Sequence, residues 1–89
     1  MKKYRYVEFT DGGLKPSMKQ GRLFIVAENP HDYVEEFSLN KSTIGYYTTM
    51  ENIGNLGWEL AFVTPCGWFS ANQMSTLQNA YVFKKEIEE

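Results

Sequence analysis

The stretch Met50-Glu51-Asn52-Ile53-Gly54-Asn55-Leu56-Gly57-Trp58-Glu59-Leu60-Ala61-Phe62-Val63-Thr64 changes its apolar period midway, and that change decides the fold. Upstream, Ile44, Tyr47, Met50 and Ile53 recur every three residues and drift into the stripe of one helix face. Downstream, Trp58, Leu60 and Phe62 alternate with Glu59, Ala61 and Val63, as a strand requires. The pattern predicts a helix capped by Ser42 or Asn40 and running to about Asn52. It must stop at a left-handed Gly54 and turn again at Gly57 so that Trp58 can lay its ring beneath the helix. Thr43, Gly45, Thr48 and Thr49 make this helix weak by propensity, so tertiary packing must hold it.

Towards the C-terminus, Pro65 ends the strand, the polar stretch Ser70 to Asn79 reads as a loop, and Ala80 to Lys85 reads as a closing strand. Glu59 is expected opposite a lysine of a neighbouring strand, Lys84 being the candidate. Towards the N-terminus, Lys2 to Thr10 is a strand with Tyr4, Tyr6 and Glu8 on one side and Lys3, Arg5, Val7 and Phe9 on the other. Asp11-Gly12-Gly13 is a turn signal, Leu14 to Gln20 a connection or ragged edge strand, and Gly21 to Glu28 a central strand covered on both faces. Asn29-Pro30-His31-Asp32 opens a short helix that carries Tyr33, Val34 and Phe37 on one face. The outline is ββααββ: a single α+β domain over residues 1–89, with one mostly antiparallel sheet of about four strands and one or two helices packed on one face.

Eighty-nine residues at 10.3 kDa make one small domain whose core has to be efficient. The single Cys leaves no internal disulfide, which suits a reducing compartment. No opening apolar run of leader length and no membrane-length stretch appears, so the expectation is a soluble, cytoplasmic protein without membrane association. Aromatic residues are 16% of the chain, more than one thin core needs. Trp58, Phe62, Tyr47, Phe24 and Phe37 have core addresses under the helices. Tyr4, Tyr6, Trp68, Phe69 and Tyr81 do not, and they form the candidate interaction surface.

The residues Met50-Glu-Asn-Ile-Gly-Asn-Leu-Gly-Trp-Glu-Leu60, the closing Ala80-Tyr-Val-Phe-Lys-Lys85 and the opening Met1-Lys-Lys-Tyr-Arg-Tyr6 resemble a family of small bacterial proteins known as domain of unknown function 4177. Its pattern is Leu-Asn-x-Leu-Gly-x-x-Gly-Trp-Glu-Leu followed by a closing Tyr-x-Phe-Lys-Arg strand. Gly54, Gly57, Trp58, Glu59 and Leu60 match as they stand, Met50 and Ile53 take the Leu positions, and Glu51 replaces the usual Asn. The segment Leu14 to Asn40 is an expansion that typical members lack. The resemblance implies a fold motif and carries no assigned activity.

Residues of catalytic type do not converge. Cys66, in Pro65-Cys-Gly-Trp-Phe69, has neither a second Cys nor a related His, since the sole His31 belongs to a helical first turn at the surface. One His and one Cys fall short of a zinc set, and the carboxylates show no calcium-loop spacing. Glu35 and Glu36 are adjacent and diverge on a helix, and Asp11-Gly12-Gly13 does not open a helix as a phosphate loop would. The expectation is therefore a protein without enzymatic activity and without a cofactor.

Residues 1–22 hold six basic side chains (Lys2, Lys3, Arg5, Lys15, Lys19, Arg22) against Glu8 and Asp11, and Tyr4, Tyr6, Tyr81 and Phe83 could build a stacking platform on paired end strands. The net charge of −2 and the acidic segment 28–59 disfavour nucleic acid as the partner. The leading expectation is a protein-interaction or accessory module that self-associates, a dimer being favoured, or that meets an unidentified protein partner. The alternative is a small-ligand pocket between helices and sheet, lined by Tyr47, Trp58 and Trp68.

Overall fold

The computed structural model describes residues 2–11, 22–43, 45–71 and 74–88, with the side chains of all of these except 66–77. Among the described residues the elements are β1 (Lys3–Thr10), β2 (Arg22–Val26), a 3-10 turn (Pro30–Tyr33) running into α1 (Val34–Phe37), β3 (Asn40–Ser42), β4 (Gly45–Thr49), α2 (Met50–Asn55), β5 (Glu59–Ala71) and β6 (Met74–Ile87). The described strands form one antiparallel sheet in the order β3-β4-β2-β1-β6-β5. The α+β class holds, with six strands in place of about four. No described helix is long and apolar enough to cross a membrane.

The two added strands come from the segment that the sequence pattern assigns to a helix and from the capping residues Asn40 and Ser42 before it. Asn40–Ser42 pairs with Gly45–Thr49, and β4 continues onto β2 through Leu23↔Thr48 and Phe24↔Tyr47. Its β-branched and aromatic residues, poor in a helix, suit a pleated surface, and Gly45 takes φ +130°, which other residues rarely adopt. The helix that remains is the six-residue α2. Its cap is Thr49, whose Oγ1 accepts the Asn52 N–H at 3.1 Å, not Ser42 or Asn40.

The stop is one residue triplet later than the sequence pattern placed it. Gly57 has φ +92°, its N–H donates to the Gly54 carbonyl at 3.0 Å, and the Trp58 N–H donates to the Ile53 carbonyl at 3.4 Å. These two bonds are the Schellman pair, with Gly57 as the left-handed residue and Ile53 and Trp58 as its apolar contact. Both side chains are buried. Gly54 is an ordinary helical residue of α2.

Pro65 does not end β5, and the described residues of the Ser70 to Asn79 stretch are strand, not loop. β5 and β6 form a long hairpin whose pairing extends to Ala71↔Met74, with register shifts at Leu60/Phe62 and Pro65/Gly67. A proline is compatible with this because β5 lies at the sheet edge and a bulge follows it. The backbone of Trp68 and Phe69 therefore belongs to a strand, opposite Leu77 and Thr76; their side chains, and that of Cys66, lie outside the described residues. So do Gly12, Gly13 and the Leu14 to Gln20 connection.

The core lies on one face of the sheet, beneath α1 and α2. Val7, Phe9, Leu23 and Phe83 from the strands meet Phe37, Leu39, Ile53 and Trp58. Phe9 stands edge-on to Phe37 at 5.3 Å and to Phe83 at 5.7 Å. Tyr33 and Val34 pack against this cluster, as the short-helix pattern predicts. Beside it, the Thr48 hydroxyl donates to the Phe37 carbonyl at 3.1 Å and accepts from Asn52 Nδ2 at 2.8 Å, tying β4, α1 and α2 together. The Trp58 ring is roofed by cations: Arg5 Cζ lies 5.2 Å and Lys85 Nζ 5.9 Å from its centroid. Arg5 also forms an ion pair with Glu36 at 3.2 Å, and Lys85 donates to the Leu56 carbonyl at 3.0 Å.

Candidate functional site

Residues directly opposite in an antiparallel ladder share a face, so the register sorts the side chains. Arg5, Val7 and Phe9 pair with Lys85, Phe83 and Tyr81 and lie on the helical face. Tyr4, Tyr6, Glu8 and Thr10 pair with Glu86, Lys84, Val82 and Ala80 and lie on the other, which α1 and α2 leave uncovered. Extending each row across the sheet gives Val26-Glu8-Val82-Phe62, then Tyr6-Lys84-Glu59, then Tyr4-Glu86. This face carries three of the most exposed large apolar side chains among the described residues: Tyr6 at 62%, Phe62 at 54% and Val26 at 47%.

The bulge between Leu60 and Phe62 puts Phe62 here. Alternation alone places Trp58, Leu60 and Phe62 on one side, but the register shift leaves Leu60 opposite the buried Phe83 and moves Phe62 opposite Val82. Trp58, Phe24 and Phe37 are buried as expected, although Phe24 lies on the helix-free face, edge-on to Tyr47 at 6.1 Å. The Arg22 guanidinium stacks on the Tyr47 ring at 3.7 Å.

The sequence-derived candidates divide. Tyr4 and Tyr6 lie together on the helix-free face, where Lys84 Nζ sits 4.9 Å from the Tyr4 centroid. Tyr81 is on the helical face opposite Phe9, half-buried; burial, and then the Asp11 carboxylate that accepts its hydroxyl hydrogen, push its pKa up. Phe83 is buried, so the stacking platform of Tyr4, Tyr6, Tyr81 and Phe83 does not form on one surface. Tyr47 and Trp58 are likewise on opposite faces, and the proposed ligand pocket does not bring them together. Glu59 pairs with Lys84 as expected. Gly54, Gly57, Trp58, Glu59 and Leu60 build the helix stop and the entry to β5. His31 is exposed, with Nδ1 at 2.8 Å from the Tyr46 hydroxyl.

Val26, Val82 and Phe62 are the members of this face that sequence reasoning missed. Pairing the two terminal strands would have placed Val82 beside Glu8, since its neighbours Tyr81 and Phe83 face the other way. Nothing in the local pattern announces the bulge at Ala61. No protein-family model matches the chain, and no curated protein or solved structure shows significant similarity to it.

Proposed function

We propose that this chain is a non-enzymatic, cytoplasmic interaction module that pairs with a second copy of itself, as a dimer, through the helix-free face of the sheet. The observation that carries the reading is the row Val26-Glu8-Val82-Phe62 with Tyr6 beside it, apolar groups left in water on a regular, stiff surface. The same patch holds both signs of charge, Lys84 against Glu8, Glu59 and Glu86, which is what a two-fold contact of a surface with itself needs. Four strands at ~4.8 Å and seven residues at ~3.4 Å give a face of roughly 450 Å² in projection. A stable dimer buries about 800 Å² per partner, so the association belongs to the weak, concentration-dependent class.

Membership of the small bacterial family named above is part of the proposal. Its Gly-x-x-Gly-Trp motif corresponds here to the turn from Gly54 to Trp58, a feature of folding and not of chemistry. Static light scattering over a concentration series tests the function: the mean mass should rise with concentration, and the Tyr6→Glu/Phe62→Glu double variant should stay monomeric. A wild type that is monomeric at millimolar concentration would overturn it.

A further inference from the structure

β2 abandons β1 halfway. The two strands pair only at Glu8↔Val26, Phe9↔Ile25 and Thr10↔Phe24, and the chain then leaves at Ala27 for the turn begun by Pro30. Had β2 run on, Glu28 would face Tyr6 and Pro30, which has no N–H, would face Tyr4. The direction of the β1 backbone groups follows from one bond beyond the strand end: the Asp11 N–H donates to the Asn79 carbonyl at 3.4 Å. Residues directly opposite that exchange such bonds recur every second position, and β1 runs against β6 without a register shift. Arg5, Val7 and Phe9 therefore direct their N–H and C=O groups to β6. Tyr4 and Tyr6 direct theirs to the side β2 has vacated, where no described residue pairs with them.

A cleft of about 350 Å³ lies at that place, lined by Tyr6, Val7, Glu8, Val26, Glu28 and Tyr33 among others. Its lining includes two carboxylates and no cation, and among the described residues neither Glu8 nor Glu28 has an ion-pair partner. The nearby cations are engaged elsewhere, Arg5 with Glu36 and Lys84 over the Tyr4 ring.

The geometry points to a strand-addition site: the Tyr4–Tyr6 edge of β1 takes an extended peptide segment from a partner protein, carrying a Lys or Arg that lies against the Tyr6 ring between Glu8 and Glu28. The two N–H and two C=O groups of Tyr4 and Tyr6 supply the ladder, and the carboxylates select the basic side chain. A second copy of this chain is the poorer occupant. Antiparallel self-pairing centred on this segment sets Arg5 directly against Arg5 of the other copy, a like-charge contact. The backbone ladder uses a strand edge and not the open sheet face, but the basic side chain shares Tyr6 and Glu8 with that face, so peptide and second copy compete for them and the site is tested with self-association suppressed.

Amide hydrogen exchange read by NMR tests it on the full chain carrying Phe62→Glu, which keeps the helix-free face from pairing. In the free protein the Tyr4 and Tyr6 amides should exchange at least about tenfold faster than those of Arg5 and Val7. Adding the blocked peptide Thr-Val-Lys-Val-Thr should slow Tyr4 and Tyr6 selectively, and replacing its Lys by Glu, or N-methylating alternate amides, should weaken binding about tenfold or more. Glu8→Gln/Glu28→Gln should erase the preference for Lys over Glu. Tyr4 and Tyr6 amides already protected in the free protein, protection that grows with protein concentration without peptide, or no response at millimolar peptide would each overturn the proposal.

Discussion

Two glycines three residues apart should respond to alanine with opposite signs. Gly57 sits at φ +92°, where an L side chain costs about 1–2 kcal/mol. The new Cβ would lie 3.5 Å from Lys85 Cε, an ordinary contact with the far end of a flexible chain, so the backbone term decides. Gly54 is helical, a Cβ placed there would meet nothing within 4 Å, and alanine gains about 0.5–1 kcal/mol. For a domain of this size 1 kcal/mol moves Tm by about 4–8 °C, so Gly57→Ala should lower it by roughly 4–16 °C and Gly54→Ala should raise it by roughly 2–8 °C. Gly57→Asn should recover part of the loss, because Asn tolerates the left-handed region better. Urea and thermal unfolding at one fixed protein concentration provide the assay, since association would otherwise shift the midpoint. If Gly57→Ala stays within about 0.3 kcal/mol of wild type, or Gly54→Ala is the more damaging change, the placement of the helix stop at Gly57 is wrong.

Phe9→Ala removes the ring that Phe37 and Phe83 both stand against, and it should cost about 3–5 kcal/mol, enough to unfold much of a domain this small in an equilibrium denaturation series. Tyr81 holds its proton more tightly in the fold than in the unfolded chain, because of burial and then Asp11. The folded state therefore carries more protons between the two pKa values, and the Tyr81 contribution is intact below the ordinary value near 10 and is lost as pH rises through the folded one. Tyr81→Phe should accordingly flatten the decline of stability with pH in the alkaline range, measured by urea unfolding at successive pH values; an unchanged slope would refute this role.

Strands that carry a clean signal at both ends were legible in the residues. β1 and β6 have bulky alternating side chains, and the Glu59–Lys84 pairing follows from them. The β3–β4 pairing was hidden because the three-residue recurrence that begins at Ile44 in the sequence runs on through Tyr47 of β4 into Met50 and Ile53 of α2. A period of three over so few residues does not distinguish a helix from a tight hairpin that hands over to one. The long β5–β6 ladder was hidden because its polar half looks like loop chemistry, whereas an antiparallel ladder propagates wherever backbone groups can pair. The candidate surface was half legible. Tyr4 and Tyr6 share a face by simple alternation, but Tyr81 goes to the other side with the register, and Phe62 joins them only through a bulge.

Footprinting of side-chain accessibility at low and high protein concentration tests the central claim most directly. Self-association through the helix-free face predicts that Tyr6, Val26 and Phe62 become protected together as concentration rises, while Tyr33 and Tyr46, which pack against the core on the helical side, do not change. Protection confined to Tyr33 and Tyr46, or none at any residue in a sample that does self-associate, would contradict it.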